Sequence, residues 1–187
     1  MSVTSAQPRP GTDAAFQRQM ERDAVWHRMI APGARVPDLA VIEADLGPVH
    51  LRRLLDTGPL VLIFFQHAGS ADCATALSGY DRALEGLDAH VVAVSPQRPE
   101  RLTELKHRLG LRMLVAADPR HLLIDTFNLG FLSPAAKPAL GTGRVTLPYP
   151  AVVVADRQGV IRYVDVSPDP APRTPAAAII DAVAPRT

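Results

Sequence analysis

Continuous apolar runs and periodically spaced apolar positions alternate along this chain, and together they predict its secondary structure. Residues 60–65, 90–96 and 113–119 each contain an apolar stretch of the kind that forms a strand covered on both faces. Apolar residues three to four positions apart follow each stretch, and this spacing predicts helices. After the first stretch these positions are Cys73, Leu77, Tyr80, Leu84 and Leu87. The middle of the chain therefore predicts a repeated strand–helix pattern.

The two ends of the chain add a hairpin and a further helix. Residues 151–156 and 160–166 are apolar strands on either side of a polar turn, which predicts an antiparallel hairpin. Residues 12–32 carry apolar positions at helical spacing and predict an N-terminal helix, whereas residues 1–11 predict a disordered tail. Residues 130–148 predict a loop because they are rich in Gly and Pro.

The order of these elements predicts an α/β fold with a mixed central sheet flanked by helices. The strand–helix repeats imply that residues 60–65 and 90–94 are central parallel neighbours, and the closing hairpin adds antiparallel strands at one side. This layout is typical of a thioredoxin-like fold, with an extra N-terminal helix, rather than of a dinucleotide-binding fold. We assign residues 33–187 to this domain.

The overall composition argues against several classes of function. The net charge is +1, from 20 Lys and Arg against 19 Asp and Glu, so the basic surplus of nucleic-acid binders is missing. The N-terminus lacks the apolar segment of a signal peptide, and the apolar runs are too short to cross a membrane. Cys73 is the single cysteine, which excludes an internal disulfide. We therefore expect a cytoplasmic protein without nucleic-acid or membrane partners.

The stretch VLIFFQHAGSADCATAL, residues 61–77, places Cys73 just after a strand and a tight turn. Ser70 is a suitable N-cap for the following helix, and Cys73 is then its third residue. Unpaired amides at a helix N-terminus favour a thiolate, so we expect a lowered cysteine pKa and a partly exposed thiol, although the Asp72 carboxylate opposes this effect. The alternative is an inert core cysteine, a common role for free Cys. No histidine lies at a metal-ligand spacing from Cys73, and neither a metal nor a cofactor is expected.

The segment FFQHAGSADC, residues 64–73, resembles the active-site signature of peroxiredoxins. In that signature an aromatic pair is followed by Pro, Thr and the peroxide-attacking Cys, and their places are held here by Gln66, Ser70 and Cys73. The segment also resembles a peroxiredoxin-like branch of the alkyl hydroperoxide reductase/thiol-specific antioxidant (AhpC/TSA) family, whose Cys-x-x-Cys pair falls on positions 70 and 73. The resemblance extends over residues 33–183 and implies a thioredoxin-like fold.

The resemblance also implies roles for residues around the thiol. Cys73 would be the catalytic nucleophile, and the Ser70 hydroxyl would orient the peroxide. Gln66, His67 and Pro150 would contribute to the substrate site. Independently of the resemblance, His67 lies six residues before Cys73 in the same turn and could stabilise the thiolate as an imidazolium, with a solvated loop histidine as the alternative.

The position of the active-site Arg departs from the peroxiredoxin pattern. Counting back from the hairpin turn, Pro150 stands where the family has an active-site Arg, so Arg144 or Arg173 would have to supply the missing guanidinium. A proline at that place resembles the cis-proline of thioredoxins, and we therefore expect a cis Tyr149–Pro150 bond close to Cys73.

The function that these features favour is a single-cysteine, peroxiredoxin-like antioxidant oxidoreductase. Its substrate would be hydrogen peroxide or an organic hydroperoxide, and its reductant an external thiol of the thioredoxin, glutaredoxin or glutathione type. One alternative is a non-catalytic binding or scaffold protein in which Cys73 is structural, and another is a monothiol exchanger that forms mixed disulfides with glutathione. Trp26 and Met29 on the first helix indicate either packing or a homodimer contact.

Overall fold

A computed structural model of the chain describes residues 13–184, and the elements within that range are as follows. The strands are β1 (Ala40–Glu43), β2 (Gly47–His50), β3 (Leu60–Phe64), β4 (His90–Ser95), β5 (Leu114–Ala117), β6 (Gly130–Leu132), β7 (Thr146–Pro148), β8 (Ala151–Ala155) and β9 (Ile161–Val166). The α-helices are α1 (Ala14–Arg22), α2 (Val25–Arg28), α3 (Leu51–Leu55), α4 (Ala71–Ala83), α5 (Pro99–Leu109), α6 (Leu122–Thr126), α7 (Lys137–Leu140) and α8 (Ala176–Val183). The predicted tail, residues 1–11, lies outside the described residues.

The main sheet is mixed, with the strand order β2-β1-β5-β4-β3-β8-β9. Strand β3 pairs in parallel with β4, which confirms the predicted central neighbours. Strands β8 and β9 form the predicted antiparallel hairpin, and β9 is an edge strand of the sheet. The α/β thioredoxin-like arrangement expected from the sequence is therefore confirmed.

The side chains of β3 alternate between two buried clusters because successive residues of a strand point to opposite faces of the sheet. Leu60, Leu62 and Phe64 pack into a cluster that also contains buried residues of α1, α3 and α6. Val61 and Ile63 pack into a second cluster, on the side of α4, α5 and α8. Burial on both faces explains why this strand is continuously apolar in the sequence.

The N-terminal helical segment differs from the single helix expected for residues 12–32. It is divided into α1 and α2 at Ala24, which has a left-handed conformation with φ 48°. The buried Phe16 ring of α1 packs 5.5 Å from the Tyr149 ring, centroid to centroid, and the Tyr149 hydroxyl donates a hydrogen bond to the Asp23 carboxylate. The two helices are therefore fixed to the segment that leads into β8.

Residues 130–148 are more ordered than the predicted loop. Strands β6 and β7 pair antiparallel in a separate two-stranded sheet, and a short 3-10 helix (Pro134–Ala136) and α7 lie between them. Each of these elements is three or four residues long, so local periodicity carries little signal for them.

Candidate active site

Cys73 is the third residue of α4, which begins at the carboxyl end of β3 after the turn formed by residues 66–70. The Ser70 hydroxyl oxygen accepts a hydrogen bond from the Cys73 amide at 3.3 Å and caps the helix. The predicted N-cap and the predicted position of the cysteine are both confirmed. Among the described residues no hydrogen bond joins the Ser70 hydroxyl to the Cys73 sulfur.

The Cys73 side chain is buried, and the expectation of a partly exposed thiol is wrong. Only 2% of the residue is accessible to solvent. It belongs to the cluster on the α4 side of the sheet, together with Leu77 and Tyr80 from its own helix. Ala171 and Ile179, from the C-terminal part of the chain, are buried in the same cluster. A segment distant in the sequence therefore contributes to the cluster in which the thiol is buried.

The turn that leads to Cys73 is held by buried polar side chains at the end of the neighbouring strand. The Gln97 side-chain oxygen accepts a hydrogen bond from the Ala68 amide at 2.6 Å, and its side-chain nitrogen donates to the Ala139 carbonyl at 2.9 Å. The Ser95 hydroxyl donates to the Gln66 carbonyl at 3.3 Å. These bonds tie the turn to β4 and to α7.

Gln66 is buried and contacts protein groups. Its side-chain nitrogen donates to the Pro148 carbonyl at 3.2 Å, which joins the turn to β7. The substrate-binding role predicted for Gln66 stays a prediction, but the structure adds that this side chain also braces the site.

Pro150 lies at the same end of the sheet as the turn, since the next residue, Ala151, pairs with Phe64 at the end of β3. The predicted cis bond is wrong, because no peptide bond within residues 13–184 is cis. The chain continues from β7 into β8 with the trans bond that X–Pro sequences ordinarily prefer. The Tyr149 amide donates to the Leu129 carbonyl at 2.8 Å, and the Pro150 carbonyl accepts from the Ser167 amide at 2.7 Å.

An arginine that sequence reasoning did not single out reaches the turn. Arg108 of α5 donates a hydrogen bond to the Ala68 carbonyl at 3.0 Å. The two arginines that were expected to help have other partners. Arg144 donates to the Arg120 carbonyl and pairs with Asp125 at 3.1 Å, and Arg173 pairs with Asp169 at 3.3 Å.

His67 is half-buried in the turn. Its burial lowers the pKa of the imidazole below the usual value, so the neutral ring is favoured at neutral pH. An imidazolium that stabilises a thiolate is therefore disfavoured at this position. The Nδ1 atom of His67 is buried without a hydrogen-bond partner in the structure.

A cavity of about 490 Å³ lies beside the turn, and we call it the turn cavity. Residues 67–69 form one wall, α5 forms the second, and residues 133–139 form the third.

Within the described part of the chain, no group of three or more His, Cys, Asp or Glu side chains is arranged to hold a metal ion. Across residues 13–184, none of the helices is long and apolar enough to cross a membrane.

The structure therefore brings Gln66, His67, Ser70 and Cys73 together in one turn and helix start, with Pro150 at the same sheet edge. Sequence reasoning missed Gln97 and Arg108. A signal for Gln97 was present, since it follows directly on a predicted strand parallel to β3, and the carboxyl ends of parallel strands meet at one edge. Arg108 gave no such signal, because it is one of several charged residues on an exposed helix face.

Comparisons with solved structures identify the fold. A peroxiredoxin-like protein from Aquifex aeolicus is 20% identical, with a TM-score of 0.69 over 83% of this chain and 86% of that one. Peroxidoxin BcpB from Mycobacterium tuberculosis is 16% identical, with a TM-score of 0.67 over 82% of this chain and 96% of that one. A yeast mitochondrial 1-Cys peroxiredoxin is 14% identical, with a TM-score of 0.62 over 81% and 74%. At these identities the similarity shows the peroxiredoxin-type thioredoxin fold.

Sequence comparisons place the chain in a family. No curated protein matches the sequence. A sequence model described as the AhpC/TSA family matches residues 32–164, which include β3, the turn, α4 and both strands of the closing hairpin except the end of β9. The chain therefore belongs to the AhpC/TSA family.

Proposed function

We propose that the protein is a thiol peroxidase that reduces hydrogen peroxide or an organic hydroperoxide, with Cys73 as its nucleophile. One observation carries this proposal. In a member of the AhpC/TSA family, the single cysteine is the third residue of a Ser-capped helix that follows the central strand of the sheet. A helix N-terminus is a favourable place for negative charge, including that of a reacting thiolate.

The reaction has an oxidising and a reducing half. The Cys73 sulfur attacks one oxygen of the peroxide, an S–O bond forms and the O–O bond breaks, and the leaving oxygen takes up a proton to depart as water or an alcohol. Cys73 is then a sulfenic acid. One external thiol condenses with it to give a mixed disulfide and water, and a second thiol displaces this disulfide and regenerates Cys73. The single cysteine makes an external thiol necessary.

Ser70 and the first-turn amides of α4 are proposed to assist the oxidising half. The Ser70 side chain fixes the start of the helix through the Cys73 amide. Unpaired amides at a helix start can donate hydrogen bonds to the peroxide and to the charge that develops on its leaving oxygen. Gln66 and Pro150 are proposed to shape the space next to the thiol, and the neutral His67 ring to line its outer side.

A specific observation favours a second candidate, a non-catalytic thioredoxin-fold binding protein. Cys73 is 2% exposed and lies in an apolar cluster, which is the usual setting of a structural cysteine. In that case the polar network at Gln97 and Gln66 would maintain a binding surface and would have no role in chemistry.

Turnover of peroxide separates the two candidates. The purified protein is supplied with hydrogen peroxide and excess dithiothreitol, and the loss of peroxide above the uncatalysed reaction is followed. The peroxidase proposal predicts catalytic loss that disappears in Cys73→Ser, while the unfolding curve of that variant stays cooperative. Loss of peroxide that is equal in both proteins would support the binding protein instead.

A further inference from the structure

The turn cavity is lined by a combination of groups suited to a small anion. Arg101 and Arg108 lie two helical turns apart on α5, and both line the cavity. Glu104 lies between them and pairs with Arg101 at 3.5 Å, so the charged side chains of the lining sum to one positive charge. Because the ion pair is exposed, it is weak and open to competition from another carboxylate.

The guanidinium groups retain donors for a ligand. One nitrogen of Arg108 donates to the Ala68 carbonyl, and within residues 13–184 the guanidinium makes no other hydrogen bond or ion pair. Arginine presents five N–H donors in a fixed fork that matches the two oxygens of a carboxylate. A carboxylate bound there would lie next to the turn that leads to Cys73.

A second observation points to the same space. His67 lines the cavity, and its Nδ1 atom is buried without a hydrogen-bond partner. A buried polar atom without a partner is costly, and a rotation of the ring that turns Nδ1–H toward a ligand oxygen in the cavity would remove that cost.

The remaining walls are apolar and small. Leu105 of α5 is buried at the cavity, and Ala135, Ala136 and Ala139 form the opposite wall. Small side chains leave room for the carbon skeleton of a ligand, and the volume of about 490 Å³ falls in the range of small-molecule sites.

We propose that the turn cavity binds the carboxylate of a small organic molecule that takes part in the reaction of Cys73. This inference rests on the proposed function for the reaction, whereas carboxylate binding itself is independent of the thiol. The shared chemistry fits two sources, a hydroperoxide that carries a carboxylate and a reducing thiol that carries one.

Binding is tested first, in the Cys73→Ser protein, so that thiol chemistry plays no part. Hexanoate and the neutral hexanamide are titrated calorimetrically at neutral pH. Hexanoate is expected to bind, and its affinity to fall about tenfold in Arg101→Gln, as for loss of one charge-assisted hydrogen bond. Arg101 makes no bond to the turn, so this variant should fold normally; Arg108→Gln is the second test. Arg157→Gln is the control, because it changes an exposed, paired arginine near the opposite end of β3.

The binding result can overturn the proposal. The proposal would be overturned if hexanoate fails to bind, if Arg101→Gln and Arg108→Gln bind it as tightly as the Cys73→Ser protein does, or if it binds no better than hexanamide. If hexanoate binds but Cys73 shows no peroxide reactivity in the wild-type protein, the peroxidase function and the ligand's part in it fail, while the carboxylate site itself stands.

The two sources are distinguished in the wild-type protein. For oxidation, a carboxylated cumene hydroperoxide is compared with cumene hydroperoxide. For reduction of the Cys73 sulfenic acid, 3-mercaptopropionate is compared with 2-mercaptoethanol. In one of the two comparisons, the wild-type protein should react faster with the carboxylate compound, and this preference should be smaller in Arg101→Gln. The ligand is then assigned to the half of the reaction, oxidation or reduction, in which the preference is found. Binding of hexanoate with no such preference in either half would contradict a part in the reaction.

Discussion

The side-chain oxygen of Gln97 accepts a hydrogen bond from the Ala68 amide at 2.6 Å, and this contact joins the end of β4 to the turn that precedes Cys73. Both residues are buried. The same Gln97 side chain donates to the Ala139 carbonyl, so one residue connects the turn, the neighbouring strand and the wall of the turn cavity. The position of the Cys73 helix start therefore depends on a residue that is distant from it in the sequence.

Replacement of Gln97 by Ala should loosen this connection. The buried Ala68 amide would lose its acceptor, so we expect the free energy of unfolding to fall by about 1–3 kcal/mol. Because the turn also positions α4, the reaction of Cys73 with peroxide should slow. Urea unfolding and the rate of reaction with peroxide are measured for Gln97→Ala and for Gln158→Ala, a control at an exposed residue of the hairpin turn. Equal effects of the two substitutions would argue against a positioning role for Gln97.

Replacement of Ser70 by Ala removes the N-cap of α4. The loss of a capping side chain typically costs about 1 kcal/mol of stability. We also expect slower formation of a sulfenic acid at Cys73, because the amide that Ser70 fixes belongs to the reacting residue. Ser78→Ala, in the middle of the same helix, is the matched control and should change neither quantity appreciably. If Ser70→Ala leaves the peroxide rate unchanged, Ser70 is only a cap.

Replacement of Asp72 by Asn removes a carboxylate from the first turn of α4. The exposed charge repels a thiolate on the next residue, and at this range the repulsion is worth about 1 kcal/mol or less. The reaction of Cys73 with hydrogen peroxide should therefore become up to about fivefold faster at low ionic strength and less so at high salt. Asp88→Asn, at an exposed site elsewhere, serves as the control. A slower reaction in Asp72→Asn would contradict this electrostatic account.

The raised pKa of Asp118 predicts that the stability of the fold depends on pH. Burial raises the pKa of its carboxyl from 3.8 to about 6, even though its oxygen accepts hydrogen bonds from the Leu123 and Ile124 amides. The folded pKa is above the unfolded value, so folding binds a proton between these two pH values. The contribution of Asp118 to stability is therefore fully present below about pH 4 and is lost as the pH rises through about 6.

Asp118→Asn should remove this pH dependence. A rise of the pKa from 3.8 to about 6 corresponds to about 3 kcal/mol. Relative to the variant, the wild-type protein should therefore lose up to this amount of unfolding free energy between about pH 4 and about pH 7. Urea unfolding of both proteins across this range provides the measurement. Parallel curves for the two proteins would show that Asp118 does not titrate in this way.

The central sheet could be predicted from the sequence because the signal for its central strand lies within that strand. Strand β3 is buried on both faces, so every residue is apolar and the run is recognisable without knowledge of its neighbours. The helix start at Ser70 was also local, since a capping side chain and the amide it binds are only three residues apart.

The features that could not be predicted depend on contacts between distant segments. The pairing of β6 with β7 joins residues that are separated by the 3-10 helix and α7. Cys73 is buried in a cluster that also contains Ala171 and Ile179, which are about a hundred residues away in the chain. The spacing of apolar residues predicts which face of a helix is buried, but it does not predict which distant residues cover the first turn of α4.

The proposed function requires Cys73 to be a reacting thiol, and the rate at which it forms a sulfenic acid measures this property. The protein is mixed with hydrogen peroxide in the presence of a dimedone-type probe, and the labelled peptide that contains Cys73 is quantified over time by mass spectrometry. We expect a second-order rate constant well above that of free cysteine at the same pH, and no label in Cys73→Ser. A rate constant no greater than that of free cysteine would contradict this expectation and leave Cys73 as a structural residue.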